Sequence, residues 1–351
     1  MSDLPEKFRN EEELDEFLSV PYPETVEMMR RIDGDIMILG AGGKIGPSLA
    51  AVAQRACRQA GVDKRIIGVD VFPEKEAKER LEHAGVEAIP CDLMDIHAVE
   101  ALPRVKNVVF MAGRKFGAVG SEPLTWMINV IVPGNVACTF RESRIVAFST
   151  GCVYALVSPD SGGSMEADIP QPVGEYANSC LGRERIFEYF SDKYKTPVLL
   201  FRLNYAIDLR YGVLVDIARR VFTGEPVERS VGAVNFIWQG DAANLALLCL
   251  KHASSPAVAL NVTGGETLRI EYLAEEFGKI FKKPVRYCGV DSGRAYLSNA
   301  ARSIGLFGPP RVGTDAMLRW VAYWIQSGGA IMDKPTHFQV TDGKFLDNLS
   351  A

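Results

Sequence analysis

The chain has 351 residues, 47% of them hydrophobic, enough to bury one large core or two smaller ones. Its net charge is −5 with charges of both signs dispersed, which excludes the basic footprint of a nucleic-acid binder. No apolar run approaches the roughly 20 residues that span a bilayer. The seven cysteines lack a Cys-x-x-Cys pair, the four histidines lack metal-ligand spacing, and the N-terminus is polar and mixed in charge, unlike a signal peptide. A cytoplasmic, reduced setting is expected, with no metal, membrane or nucleic-acid partner.

Asn10 before an acidic turn predicts a helix near 11–18, and Pro23 predicts the first turn of another near 23–32. Both are expected on the outside of the main domain. The chain then reads Asp35-Ile-Met-Ile-Leu-Gly40-Ala-Gly-Gly43-Lys-Ile-Gly46. An apolar run breaks into glycines and then into apolar periodicity over 45–60, the order strand, glycine turn, helix. Glycines here let the backbone turn tightly and approach a pyrophosphate seated on the helix N-terminus, although a plain tight turn also wants glycine. Arg65-Ile-Ile-Gly-Val-Asp70 favours the first reading, because a second apolar strand ends in an acid about 25 residues on. Asp70 can accept both ribose hydroxyls of NAD and repel the extra phosphate of NADP.

Strands are predicted at 35–40, 65–70, 87–90, 107–112, 144–149 and 197–202. Helices are predicted near 44–60, 73–84, 95–102, 122–142 and 174–194. This alternation predicts an α/β fold, a doubly wound parallel sheet of the Rossmann kind covered on both faces. Beyond Arg202 the alternation stops. Helices near 212–223, 240–252, 270–281 and 314–326, with brief strands near 234–238 and 258–262, predict a smaller C-terminal substrate lobe. The expected division is an N-terminal helical extension over 1–33 and an NAD-binding domain over 34–205, to which 234–262 returns. A substrate-binding lobe follows from 206–233 and 263–330, then a tail over 331–351. The tail is polar, with Pro335 and Gly343, and is open to reading as an ordered strap or a flexible end.

Further motifs follow in order. They are Cys91-Asp92-Leu93, Phe110-Met-Ala-Gly113-Arg-Lys115, Asn129-Val130 and Phe148-Ser-Thr150-Gly-Cys152-Val-Tyr154. Later come Arg202-Leu-Asn204-Tyr205, Phe236-Ile-Trp-Gln-Gly-Asp241 and Ala259-Leu-Asn261-Val-Thr-Gly-Gly265. With Gly40-x-x-Gly43-x-x-Gly46 they resemble, over about 34–328, the extended short-chain dehydrogenase/reductase family of NAD-dependent epimerases and dehydratases. The resemblance implies an NAD site from Gly40, Gly43, Lys44, Ile45 and Gly46, with Asp70 on the ribose and Asp92 and Leu93 at the adenine. Met111, Ala112, Gly113 and Lys115 would pass beneath the cofactor, with Asn129 and Tyr176 beside it. Thr150 and Tyr176 would be catalytic, and Thr150, Cys152, Asn204, Tyr205 and Trp238 would meet a carbohydrate-like substrate. Trp126, Tyr154, Tyr205 and Trp238 are open both to lining that pocket and to plain packing. A homodimer is implied through helices over 123–141 and 175–194, with Trp126, Ile128, Val132, Ile186, Phe187 and Phe190 on their apolar faces.

One departure matters. The family's Tyr-x-x-x-Lys stands here as Tyr176-Ala-Asn-Ser-Cys180. The missing lysine would hold the nicotinamide ribose and lower the tyrosine pKa, whose ordinary value is about 10. Cysteine brings no positive charge, so Lys115 and Arg183 are the candidates to replace it. Three readings of Cys180 stand: a small apolar filler in an impaired protein, a bystander in an enzyme supported by another cation or water, and a thiol with its own role, reactive or paired with Cys152. The diphosphate-binding arginines of nucleotide-sugar relatives are also reduced. Val234-Asn235-Phe236 lacks one, and Val290-Asp291-Ser292-Gly293-Arg294 keeps one. The expectation is therefore an NAD-dependent enzyme oxidising a carbinol carbon of a sugar, sugar acid or similar polyhydroxylated molecule. The alternatives are an impaired NAD-binding sensor or scaffold, and a nucleotide-sugar epimerase.

Overall fold

The computed structural model describes residues 4–73, 75–115, 120–332 and 336–345. Its centre is built from short apolar runs whose backbone groups pair in parallel. These are β1 (Ile36–Leu39), β2 (Ile66–Asp70), β3 (Glu87–Pro90), β4 (Asn107–Phe110), β5 (Arg144–Thr150), β6 (Val198–Leu203) and a seventh strand, Val258–Val262. The spatial order is Val258–Val262, β6, β5, β4, β1, β2, β3. Chain direction across the sheet therefore reverses between β1 and β4, and an open parallel sheet leaves its ligand crevice beyond the strand carboxyl ends at such a point.

Successive side chains of β1 point to opposite faces, and both faces are buried. Ile36 and Ile38 pack with Met29 of α2 (Pro23–Arg31), Leu49 and Val52 of α3 (Gly46–Ala60), and Leu245 of the later helix Gln239–Leu248. Met37 and Leu39 pack on the other side with Val136, Phe140 and Phe187. Helices α4 (Lys75–His83) and α5 (Ile96–Glu100) complete the first half. The predicted helix over 122–142 is broken in its middle. α6 (Glu122–Trp126) runs into a wide turn at Met127–Ile131 and then α7 (Val132–Thr139). Pro133 has no N–H to give to the carbonyl of Asn129, so the ladder slips to a wider turn there.

α8 (Gly174–Tyr194) follows β5, and α9 (Val213–Thr223) opens the second lobe. That lobe's core is aromatic, with Trp238, Trp320, Trp324 and Phe277 buried among aliphatic side chains. The predicted strand over 234–238 is two fragments with different partners. Ala233–Val234 pairs antiparallel with Leu268–Arg269, and Ile237–Trp238 pairs parallel with Ala206–Ile207. Between them the Asn235 side chain accepts from Asn204 Nδ2 at 2.7 Å and donates to the Ser298 carbonyl at 2.6 Å.

The N-terminal helices are more than an outer coat, which corrects the sequence reading. Leu14 and Leu18 of α1 (Glu11–Leu18) are fully buried in the lobe's aromatic core beside Phe8, and Met28 and Met29 of α2 are fully buried against the sheet layer. Arg210 ties α1 to the lobe through Asp15 and Glu11 while gripping Asp208 with two nitrogens. Among the described residues no helix is long and apolar enough to cross a membrane.

Candidate active site

The glycine loop after β1 is a cradle that side chains would fill. A Cβ on Gly40, at φ +93°, would lie 2.5 Å from the Ala112 nitrogen. One on Gly46 would lie 2.3 Å from the Ala41 carbonyl oxygen. The loop is thus pressed between α3 and the chain leaving β4, where only hydrogen fits. α3 starts with no acid in its first turn and no side-chain cap, which leaves the positive end of the helix without a negative side chain of its own. Asp70 ends β2 and folds back on the loop, accepting the Gly42 N–H at 2.9 Å and the Val71 N–H at 2.8 Å. Lys44 reaches from the loop to the lobe, its Nζ 3.2 Å from the centre of the Tyr211 ring.

Asn129 has a different role from the cofactor contact expected of it. It is fully buried in the wide turn, and its carboxamide is already committed. Its Oδ1 accepts from Arg114 N–H at 2.9 Å and Arg183 Nη2 at 2.7 Å, and its Nδ2 donates to the Arg114 carbonyl and Ser179 Oγ, both at 2.9 Å. A carboxamide has two acceptor sites and two donors, so none is left for a ligand. Asn129 is a bracket joining the β4 loop to α8. Leu93 likewise puts its side chain in the core below β4, leaving exposed Asp92 at the surface of that turn.

Thr150, Tyr176 and Cys180 do converge. Thr150 closes β5 and is held by the Cys152 N–H, 3.2 Å from its Oγ1. Tyr176, in the first turns of α8, brings its phenol to the neighbourhood of the Thr150 hydroxyl. Burial pushes the Tyr176 phenol well above its ordinary range, the Cys180 and Cys152 sulfurs add to this when ionised, and Arg183 and the Thr150 hydroxyl oppose it. Cys180 lies one turn on and is completely buried against Val153, Tyr154, Tyr176 and Leu181. Burial pushes its thiol up to about 11, the opposite of what a reactive thiolate needs. Cys152 and Cys180 are both free thiols.

Arg183 is a cation near Tyr176 and Cys180 that the sequence pattern under-weighted. It sits three residues after Cys180, so it returns to the same side of α8. Its Nη1 donates to the Phe148 carbonyl at 2.9 Å, and its Nη2 lies 2.6 Å from where a Cβ on Gly113 would stand. These partners, like Asn129, are neutral. Lys115 also approaches, its Nζ 5.9 Å from the Tyr176 ring centre and 3.2 Å from the Thr336 carbonyl oxygen, and burial pulls its amine below the usual range.

Beneath this pair lies an ion pair out of water. Arg202 grips Glu184 with two nitrogens at 2.9 and 2.7 Å, Ser149 Oγ donates to Glu184 Oε1 at 2.5 Å, and Arg202 Nη1 donates to the Tyr154 hydroxyl at 2.7 Å. The Tyr154 hydroxyl donates in turn to Asn261 Oδ1 at 2.8 Å. The chain of bonds locks α8 to β5, β6 and the seventh strand, so Tyr154 is a structural residue. Trp238 also leaves the expected substrate set. It is 1% exposed, packed among Phe8, Phe17 and Trp320. Asn204 commits both Nδ2 hydrogens to Asn235 and the Tyr296 carbonyl. Tyr205, at φ +44°, packs against the lobe's core. Burial raises its phenol, and Cys152, Tyr296, Tyr211 and Asp216, when ionised, add to this. Trp126 is half exposed and donates to Glu175 at 2.6 Å.

Neither a family model nor a curated protein matches the sequence. Solved structures do match the fold. UDP-glucose 4-epimerase of Thermus thermophilus in complex with NAD superposes with a TM-score of 0.67 at 19% identity, over 83% of this chain and 99% of that one. UDP-glucose 4-epimerase of Thermotoga maritima with UDP-glucose gives 0.68 at 18% identity, over 84% and 99%. The Bordetella bronchiseptica enzyme WbmG with NAD and UDP gives 0.69 at 19% identity, over 85% and 97%. The shared architecture is the seven-stranded parallel sheet with helices on both faces.

Proposed function

We propose that this chain is an NAD-dependent enzyme of the extended short-chain dehydrogenase/reductase kind, oxidising a carbinol carbon of a sugar, sugar acid or related polyhydroxylated molecule. The carrying observation is the convergence of Thr150, at the carboxyl end of β5, with Tyr176, in the first turns of α8, beside a glycine cradle. The cradle fits a dinucleotide. Gly40 and Gly46 leave room for backbone approach, the uncapped α3 N-terminus suits a pyrophosphate, and Asp70 suits ribose hydroxyls. Solved structures of the same fold hold NAD, which supports that choice.

NAD, when bound, supplies the hydride acceptor. Tyr176 as phenolate takes the proton of the substrate hydroxyl, and Thr150 donates to that oxygen to hold it in line. Arg183 is fixed by Asn129 and the Phe148 carbonyl, so its charge stands in the wall without moving. It favours the phenolate and takes over part of what a lysine at position 180 would do. Cys180 is packing. Asp70 selects NAD over NADP, since Val71 and Phe72 follow it and no arginine stands there for the extra phosphate. A homodimer through α6, α7 and α8 is part of this proposal, with its apolar face redrawn. Val132 and Phe187 are buried in the chain's own core, whereas Trp126 (39% exposed), Met127 (39%) and Ile131 (48%) face outward.

The test is to load the protein with NAD and screen free sugars, sugar acids and UDP-sugars for reduction of the bound cofactor. Reduction by one class, absent in Tyr176→Phe, is the expected result. NAD binding with no reduction by any of them would leave a cofactor sensor, the reading that the raised Tyr176 pKa favours.

A further inference from the structure

The described part of the C-terminal segment, residues 336–345, lies across the cleft above Tyr176, and contacts on separate elements hold it there. Thr336 is 2% exposed, and its N–H and hydroxyl both donate to Asp216 Oδ2 on α9, the N–H at 2.8 Å. Its carbonyl accepts from Lys115, in the loop after β4, at 3.2 Å. Phe338 is buried in the lobe's core, and the Gln339 carbonyl accepts from Ser230 at 3.4 Å. At the far end the backbone meets the start of α8. A Cβ on Gly343, at φ +73°, would lie 2.3 Å from the Val173 carbonyl oxygen, and one on Gly174, at φ +81°, would lie 2.6 Å from the Gly343 carbonyl oxygen. Two glycines in the left-handed region, each impossible for a larger residue without movement, mark a specific seat. Phe345 then sets the edge of its ring against Tyr176, with centroids 5.5 Å apart at 85°, is 3% exposed, and has Lys115 Nζ 4.7 Å from its centre.

The segment thus fills the space between α9, the β4 loop and the start of α8, the approach to Tyr176 from the lobe side. Building on the proposed reading of Tyr176, we propose that residues 336–345 are the outer wall of the substrate cleft, with Phe345 and Thr336 as specificity residues. The wall admits a free monosaccharide, sugar acid or polyol and excludes a nucleoside-diphosphate sugar, whose nucleotide would need the volume that Thr336 and Phe345 occupy. Lys115 and Asp216, the charged groups at this mouth, are engaged by the wall itself.

UDP-glucose serves as the probe, titrated calorimetrically into full-length, NAD-loaded protein as wild type, Phe345→Ala and Gly343→Val, with hydrogen exchange followed over 174–176 and 336–345. Wild type is expected to protect both stretches and to bind UDP-glucose more weakly than about 1 mM. Gly343→Val is expected to lose protection over 336–345 and to bind at least about tenfold tighter, a change of about 1.4 kcal/mol. Phe345→Ala, which opens volume without unseating the segment, should show a smaller gain. Micromolar binding by wild type with protection intact overturns the wall, as does a released segment in Gly343→Val with no gain in affinity. Full protection in Gly343→Val overturns the seat. NAD titration of the same samples reports separately on the cofactor reading, so its failure and that of the wall are told apart.

Discussion

The two ends of the crevice are built in different ways. At the proposed cofactor end the surface is mostly backbone: glycines at positions 40 and 46 whose missing side chains leave the cradle, the uncapped start of α3, and one carboxylate from the next strand. At the proposed substrate end it is side chains brought from remote elements, with Thr150 from β5, Tyr176 and Arg183 from α8, Lys115 from the β4 loop and Phe345 from the tail. Backbone function depends on a few consecutive residues and tolerates change elsewhere. Side-chain function depends on every bracket that fixes the angle of α8. The substrate end is therefore where a missing lysine can be offset by a neighbour.

Substitutions can break that contrast. Tyr176→Phe removes the proton acceptor and leaves the cradle intact. Turnover should fall about 10²- to 10⁴-fold while the NAD dissociation constant stays within a small factor, measured by steady-state kinetics and cofactor titration. A comparable loss of NAD affinity would show that the two ends are one unit. Glu184→Gln leaves Arg202 buried beside a neutral partner. About 3–5 kcal/mol of stability should go, read from the denaturant midpoint at unchanged slope. Milder loss would mean that α8 is held by packing alone.

Arg183→Gln and Cys180→Lys sharpen the contrast from opposite sides. Tyr176 ionises above its ordinary range, so turnover should rise as pH increases into the alkaline region. Removing the Arg183 charge should move that rise upward by about 1–3 units, because the phenolate loses the cation that favours it. Adding a lysine at 180 should move it toward neutrality, at a packing cost of about 1–3 kcal/mol where the side chain meets Val153 and Tyr154. A pH profile that ignores both substitutions removes Tyr176 from proton transfer.

Asp70→Ala should cost about tenfold or more in NAD affinity, since a hydrogen bond to a charged group is worth about 1.5–3 kcal/mol, and should narrow the preference over NADP. Equal affinity of wild type for both cofactors would take Asp70 out of the ribose role. The smallest effect belongs to the surface. Ile131→Asp should turn a dimer into a monomer by light scattering at micromolar concentration, with little change in the stability of the single chain.

The fold was legible because periodicity survives in any single sequence. The run Ile36 to Leu39 is uniformly apolar, as a strand covered on both faces has to be, and Gly40 and Gly46 mark the turn and close approach that follow. What escaped was chiefly orientation. Asn129 lies in the expected motif, yet a proline four residues on widens its turn and aims the amide at Arg114, Ser179 and Arg183. Trp238 falls within a family-like segment, yet it points into the aromatic core with Trp320.

By itself, then, the sequence determined the alternation of strand and helix, the glycine cradle, the acid at the end of β2 and the spacing of Thr150, Tyr176 and Cys180. These are local properties, set by backbone sterics and by which residues repeat along one face. Only the tertiary structure decided that α1 belongs to the lobe's core and α2 to the sheet layer, that Arg183 comes near Tyr176, and that residues 336–345 close over it. Each of these joins positions far apart in the chain or depends on the rotation of a helix, and the pairing energy that selects them is spread over many contacts that no short motif encodes.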